Sequence, residues 1–228
     1  MIRFHPTNQK LVSFAEGLIP PNEGLLVSAH CDMCAHCRRK VDALINSCAE
    51  QAFSEETEAQ IDNALGNMFD AITSRPHTSL ERKFTATQKV VSIDGKEFSL
   101  PPSLQRVASS IGTWSHLVGK LWQAPVSLGG KNLANFIYME NGGGVPEHTH
   151  IGNELTLVID GTFSDGIHHY DSGDYLSLNQ DNTHAPVSDS DDGCLVFSVI
   201  DQPLQFTSGW AKLINPLSHL YFKVSTKV

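Results

Sequence analysis

Apolar residues in the first third of the chain recur at helical spacing. Leu11, Phe14, Ala15 and Leu18 mark one helix face, which Pro20-Pro21 interrupts. A second helix is predicted from about residue 22 to 30. A third, from about 34 to 53, carries Val41, Leu44, Ile45 and Cys48 on one side. Ser54 followed by Glu55 and Glu56 is an N-cap with acids in the first turn. The helix it opens lines up Ile61, Leu65, Met68, Phe69 and Ile72 as one apolar stripe. The stretch from Thr73 to Ser79 has no apolar residue and contains Pro76, so it reads as a linker.

Beyond the linker the period shifts toward two. Val90–Ile93 and Lys96–Leu100 flank Asp94-Gly95, a strong hairpin signal. A short helix is predicted around Leu104 to Ile111. From Asn132 onward the chain is mostly short β-type runs separated by Gly, Asp, Asn and Ser, the pattern of a sandwich or barrel. The predicted organisation is a helical domain over 1–75, a linker over 76–87 and a β domain over 88–228.

Composition narrows the function classes. No run approaches eighteen apolar residues, so no membrane-spanning segment is expected. The polar start of the chain, with Pro6, lacks the basic and apolar regions of a secretory signal, and the expected compartment is the cytoplasm. A net charge of -9 argues against direct contact with nucleic acid and leaves room for a basic protein partner. The acidic run from Glu50 to Asp62 is either a solvated helix face or a surface for such a partner. Four of the five cysteines fall between Cys31 and Cys48, a clustering that suits metal or redox chemistry better than a disulfide framework. Cys194, beside Leu195-Val196-Phe197, reads as a small core residue.

The segment from Gly142 to Glu154 is the most informative. His148 and His150, two apart, project from one face of a strand, and Glu154 joins them if that strand continues. Two imidazoles and a carboxylate on one face make most of a coordination sphere for a divalent metal. Gly142, His148, His150, Glu154 and Gly161 stand at the spacing of the first conserved motif of the cupin family, which this stretch resembles. The second cupin motif is matched in part. Gly173 and His184 are in place, while Asn179, Asp181 and Ser188 stand where the family has proline, glycine and asparagine. Asn and Asp tolerate turn backbones, and His184 resembles the fourth ligand. His168 and His169 show no motif and read as exposed loop residues; Glu147 and Tyr170 are candidates to support the ligands.

A second cluster lies at His30-Cys31-Asp32-Met33-Cys34-Ala35-His36-Cys37. His30, Cys34 and Cys37 can converge on one side of a helix or helix-turn, and thiolate with imidazole suits tetrahedral zinc. A closed site needs a fourth ligand, for which Cys31, His36 and Cys48 are nearby. The spacing resembles that of the zinc-binding anti-sigma factors, and this resemblance implies His5 as the remaining ligand. A zinc tether also suits a helical domain with a small core.

Joined to a cupin, the domain is similar to the ChrR-type anti-sigma factors, a resemblance covering nearly the whole chain. It implies an all-α zinc-binding domain followed by an all-β cupin barrel of the double-stranded β-helix type. It implies zinc at the first site, zinc or another divalent metal at the second, and an extracytoplasmic-function sigma factor as partner. It further implies that the cupin serves the response to oxidants such as singlet oxygen or organic peroxides, with room for a small-molecule ligand in the barrel. No catalytic residue is assigned. The alternative is a metal-dependent cupin enzyme, a dioxygenase or isomerase, with an appended zinc domain. A third option is a metal sensor or store without a sigma partner.

Overall fold

The computed structural model describes residues 1–54, 63–76, 89–117, 120–129 and 132–215, without the side chains of Asn63, Trp210 and Ile214. Most of the acidic run and of the predicted linker lies outside these residues.

Among the described residues the chain opens on four helices: α1 (Asn8–Ala15), α2 (Pro21–Met33), α3 (Ala35–Phe53) and α4 (Asn63–Thr73). Thr7 caps α1 by accepting from the Lys10 amide, and Pro21 starts α2 where a missing N–H costs nothing. Cys34 is extended, with φ -110° and ψ 99°, and breaks α2 from α3. Leu11, Leu26, Val27 and Val41 are buried where these helices meet. Leu18 and Ile45, on the predicted apolar faces, are exposed. The Ser54 hydroxyl donates back to the Gln51 carbonyl at the end of α3.

The hairpin β1 (Val90–Ile93) and β2 (Lys96–Ser99) forms as its turn chemistry dictates. Asp94 and Gly95 both take positive φ, 49° and 74°, as a two-residue turn of this hand requires. The predicted short helix is split into α5 (Pro102–Gln105) and a 3-10 turn at Ala108–Ser110. Among the described residues ten further strands follow: β3 (Ser115–Leu117), β4 (Leu121–Val126), β5 (Leu133–Met139), β6 (His148–His150), β7 (Glu154–Ser164), β8 (His169–Asp171), β9 (Tyr175–Leu178), β10 (Thr183–His184), β11 (Cys194–Ile200) and β12 (Leu204–Phe206). The larger sheet runs β3-β4-β5-β11-β7-β8, with β9 also on β7, and the smaller runs β10-β6-β12. The pairings are antiparallel.

Strands β7 and β11 are buried on both faces, which is why Leu155–Ile159 and Cys194–Val199 are nearly continuous apolar runs. Leu155, Leu157, Leu195 and Phe197 share a core with Leu26, Val27 and Cys37 from the helices. Val158, Val196 and Cys194 turn the other way, into the barrel with Met139, Phe163 and Leu176. The helices therefore cover one face of the large sheet. Asp32 ties α2 to α5 by accepting from the Ser103 amide at 2.7 Å, beside a 2.7 Å Ser28–Ser103 hydroxyl contact.

Candidate metal centres

The first cluster is built by the break at Cys34. His30 lies in the last turn of α2, Cys34 at the break and Cys37 in the first turn of α3, so three side chains face one point. The extended segment before α1 brings His5 to the same point. Its Nδ1 lies 3.3 Å from His30 Nε2, 3.6 Å from Cys34 Sγ and 3.4 Å from Cys37 Sγ. One donor atom from each of the four lies within 4.8 Å of the others. Zinc bonds of about 2.0 Å to nitrogen and about 2.3 Å to sulfur would put tetrahedral N–N and N–S edges near 3.3 and 3.5 Å, approximately the spacings seen. Cys31, His36 and Cys48 fall outside the group: Cys31 is buried beside it, His36 is exposed and Cys48 is half-buried along α3.

Protons are arranged for a cation. His30 Nδ1–H donates to the Gly173 carbonyl at 2.8 Å, which leaves Nε2 as a lone pair aimed at the cluster. Burial holds His30 down to a pKa of about 4 despite that bond, so it is neutral at physiological pH. Burial, then the neighbouring Cys34, pushes the Cys37 thiol up to about 12, and Cys31 rises to about 11 for the same reasons. A metal binding here must displace the Cys37 proton.

The second cluster spans two sheets. β6 supplies His148 and His150 and β10 supplies His184, paired directly opposite His148. The strand does not continue to Glu154 as the period-two expectation required. It breaks at residues 151–153, where Asp201 accepts from the Asn153 amide at 2.7 Å, and Glu154 opens β7 in the other sheet. The four still converge, with donor atoms within 4.8 Å. His184 Nε2 is 3.0 Å from His148 Nε2 and 3.3 Å from His150 Nε2, while His150 Nδ1 is 3.3 Å from Glu154 Oε2. His148 Nδ1–H donates to the Pro146 carbonyl, fixing its Nε2 as a lone pair. The Thr156 and Ser198 hydroxyls donate to Glu154 Oε1 and orient the carboxylate. Imidazole lone pairs crowded around one point repel unless a cation lies among them, so this donor set fits a divalent metal.

Burial, then His148, lowers His184 to about 4. Burial also lowers His150, and it raises Glu154, whose pKa the surrounding histidines and Thr156 nevertheless bring below the usual value. A cavity of about 50 Å³ adjoins the cluster, walled by Met139, Val145, Phe163, Leu176 and Val196 and floored by His148, Glu154 and His184. It admits a ligand of only a few heavy atoms. Glu147 and Tyr170 do not support the ligands: the Glu147 carboxylate accepts from Thr207, and the Tyr170 hydroxyl donates to Asp165. His168 and His169 are exposed, although His169 opens β8 rather than lying in a loop.

Acid should weaken the metal-free chain. His30 and His184 resist protonation in the fold until about pH 4 but accept a proton near pH 6.5 when unfolded. Within that window the unfolded state binds more protons, so stability rises with pH and falls on acidification. The expected loss between pH 6.5 and 4 is up to about 3 kcal/mol for each histidine. It is measured as a falling Tm of chelator-treated protein, and a flat profile across the window would contradict it.

Two facing antiparallel sheets closing on three histidines and a glutamate, with a helical His/Cys cluster ahead of them, define a cupin-like domain joined to an N-terminal helical part. Residues 106–203 match the family described as ChrR Cupin-like domain. The chain is 29% identical over 222 residues, 94% of its own length and 97% of the relative's, to the Anti-sigma-E factor ChrR of Cereibacter sphaeroides. The solved Rhodobacter sphaeroides SigE in complex with the anti-sigma ChrR superposes with a TM-score of 0.67 at 24% identity, covering 88% of this chain and 100% of that one, a likeness of fold. The chain is thus similar to that anti-sigma factor over nearly its whole length, and the family match lies within its β region.

Proposed function

We infer that the chain is a cytoplasmic anti-sigma factor that sequesters an extracytoplasmic-function sigma factor through its N-terminal helices. The observation that carries this is the pairing, in one chain, of the His5/His30/Cys34/Cys37 cluster with the His148/His150/Glu154/His184 cluster. That pairing occurs along a sequence aligned over 94% of its length with a named anti-sigma factor. The functional division is a helical unit at 1–75, a linker at 76–87 and a cupin unit at 88–228.

Zinc at the first cluster would supply a four-way crosslink in a part of the chain with a small core. His5, His30, Cys34 and Cys37 would hold it, fixing the angle between α2 and α3 and pinning the segment ahead of α1. The second cluster would hold zinc or another divalent metal on His148, His150, Glu154 and His184. The response to oxidative stress implied by the family resemblance is assigned to that cluster and its small apolar cavity.

The exposed stripe on α4 supports a protein partner. Leu65, Met68, Phe69 and Ile72 are each between 53 and 66% exposed, an apolar face of the kind that marks a binding surface. The negative charge of the chain suits a sigma factor, whose own function is to meet nucleic acid. Because Phe69 is already solvent-facing, Phe69→Asp should leave the fold and metal content unchanged. It should weaken sigma binding about 30-fold or more, as loss of an aromatic anchor does. Calorimetric titration of the variant reads this, and unchanged affinity would remove α4 from the interface.

A further inference from the structure

The N-terminal segment that delivers His5 to the first cluster is held by the cupin domain. Asp174, fully buried, accepts from the Arg3 amide at 2.6 Å and the Phe4 amide at 3.0 Å through Oδ1. Its other oxygen accepts from the Asp171 amide at 2.8 Å. The Tyr175 amide donates to the Phe4 carbonyl at 3.0 Å, so Phe4 is fixed on both sides. Gly173 gives its carbonyl to His30 Nδ1 and has no side chain where Ile2 packs: a Cβ there would lie 2.5 Å from Ile2 Cδ1. The Tyr175 ring stands edge-on to His30, with centroids 6.0 Å apart.

Three successive residues at the entry to β9 thus govern two of the four donors of the first cluster. The next residue along, Leu176, faces the opposite way and walls the cavity at the second cluster. We propose that Asp174 is a positioning residue for the first metal centre, and that the Gly173–Leu176 segment joins the two centres, so that a shift of Leu176 in the cupin cavity loosens His5 and His30 together. The physical route is short. Alternate residues of a strand point to opposite faces, and a close-packed interior transmits a displacement rather than absorbing it. The coupling is reciprocal: metal in the first centre stiffens the cupin turn. The proposal rests on the metal-binding part of the function inferred above and not on the identity of the partner.

The test uses full-length protein loaded with zinc. Zinc transfer to a chromophoric chelator and amide exchange at Arg3, Phe4 and Tyr175 are followed in the native chain and in Asp174→Ala, Asp174→Asn and Leu176→Ala. Removing a group that orients a metal ligand typically weakens retention about 10- to 100-fold. Asp174→Ala should accelerate transfer from the first centre by at least about tenfold and speed exchange at Arg3 and Phe4. Asp174→Asn keeps the shape and one acceptor oxygen but turns an NH2 toward the Asp171 amide, and should fall between; it serves if the alanine variant does not fold. Leu176→Ala leaves the four donors of the first cluster and the Asp174 hydrogen bonds to Arg3 and Phe4 in place, yet should also quicken both readouts. Native transfer rates in folded Asp174→Asn and Leu176→Ala, with zinc bound, would overturn the coupling and leave the sigma-binding function untouched. A native chain that takes up no zinc on its His/Cys cluster would overturn the coupling and the metal centre together.

Discussion

Changing Cys37 to serine is expected to empty the first metal centre, loosen the helical part and reduce sigma-factor affinity by at least about 100-fold. Cys37 is almost fully buried, and its Sγ lies 3.4 Å from His5 Nδ1. A serine hydroxyl is shorter, harder and far less acidic than a thiol, so it leaves a three-donor site that zinc holds weakly. The loss matters because the helices meet around few apolar groups, chiefly Leu11, Leu26, Val27 and Val41, while much of α3 and the stripe of α4 face solvent. Apparent binding free energies of structural zinc are about 10–16 kcal/mol, of the same order as the stability of a whole small domain. Elemental analysis should show one metal per chain fewer than in the native protein. Circular dichroism should show reduced helix, and calorimetry little heat with the sigma factor. Full metal content and native affinity in the variant would exclude Cys37 as a ligand.

Replacing His148 with alanine should have an equally large effect at the other centre. His148 lies on β6, the middle strand between β10 and β12, 3.0 Å from His184 Nε2, with its Nδ1 locked on Pro146. Its loss removes a donor and opens space against Phe206, whose ring centroid is 6.1 Å away. Metal content should fall by one per chain while the first centre stays filled, with an apparent loss of metal affinity at the second of at least about 100-fold. Sigma binding should stay within a few-fold of native, and the release of sigma activity by oxidant, read with a promoter reporter, should be lost. Loss of both metals on this single change would mean that the two clusters do not fill separately.

The parts of this molecule that were legible in sequence are those fixed by local chemistry. Asp94-Gly95 specifies its hairpin because both residues tolerate positive φ. Pro20-Pro21 and Gly17, the latter at φ 72°, end α1 and start α2 within a few residues of the predicted breaks. The two donor clusters were visible because their imidazoles, thiols and carboxylate stand at helical or strand spacing, and the four side chains of each come together in the fold. What was hidden depends on tertiary context. Strands β3 and β4 precede the β region expected from Asn132, because Pro125 and the polar residues around it mask the alternation. Pro125 is tolerated there because it lies beyond the short β3 and needs no N–H on that side; its carbonyl accepts from Gly112. Glu154 reaches the cluster from a different sheet than His148, a crossing that spacing alone cannot reveal. The α4 stripe has the periodicity of a core-facing helix, and periodicity does not distinguish a core from a docking face. The contacts of Arg3 and Phe4 with Asp174 join residues 171 and 170 positions apart and leave no local pattern.

Holding a sigma factor is the function inferred for this chain. Its most direct test is titration calorimetry of the zinc-loaded full-length protein against each purified extracytoplasmic-function sigma factor of its source organism. A saturable one-to-one complex with one of them, at a Kd on the order of nanomolar and lost with Cys37→Ser, is the predicted result. A folded, metal-loaded chain that binds none of them would contradict the account.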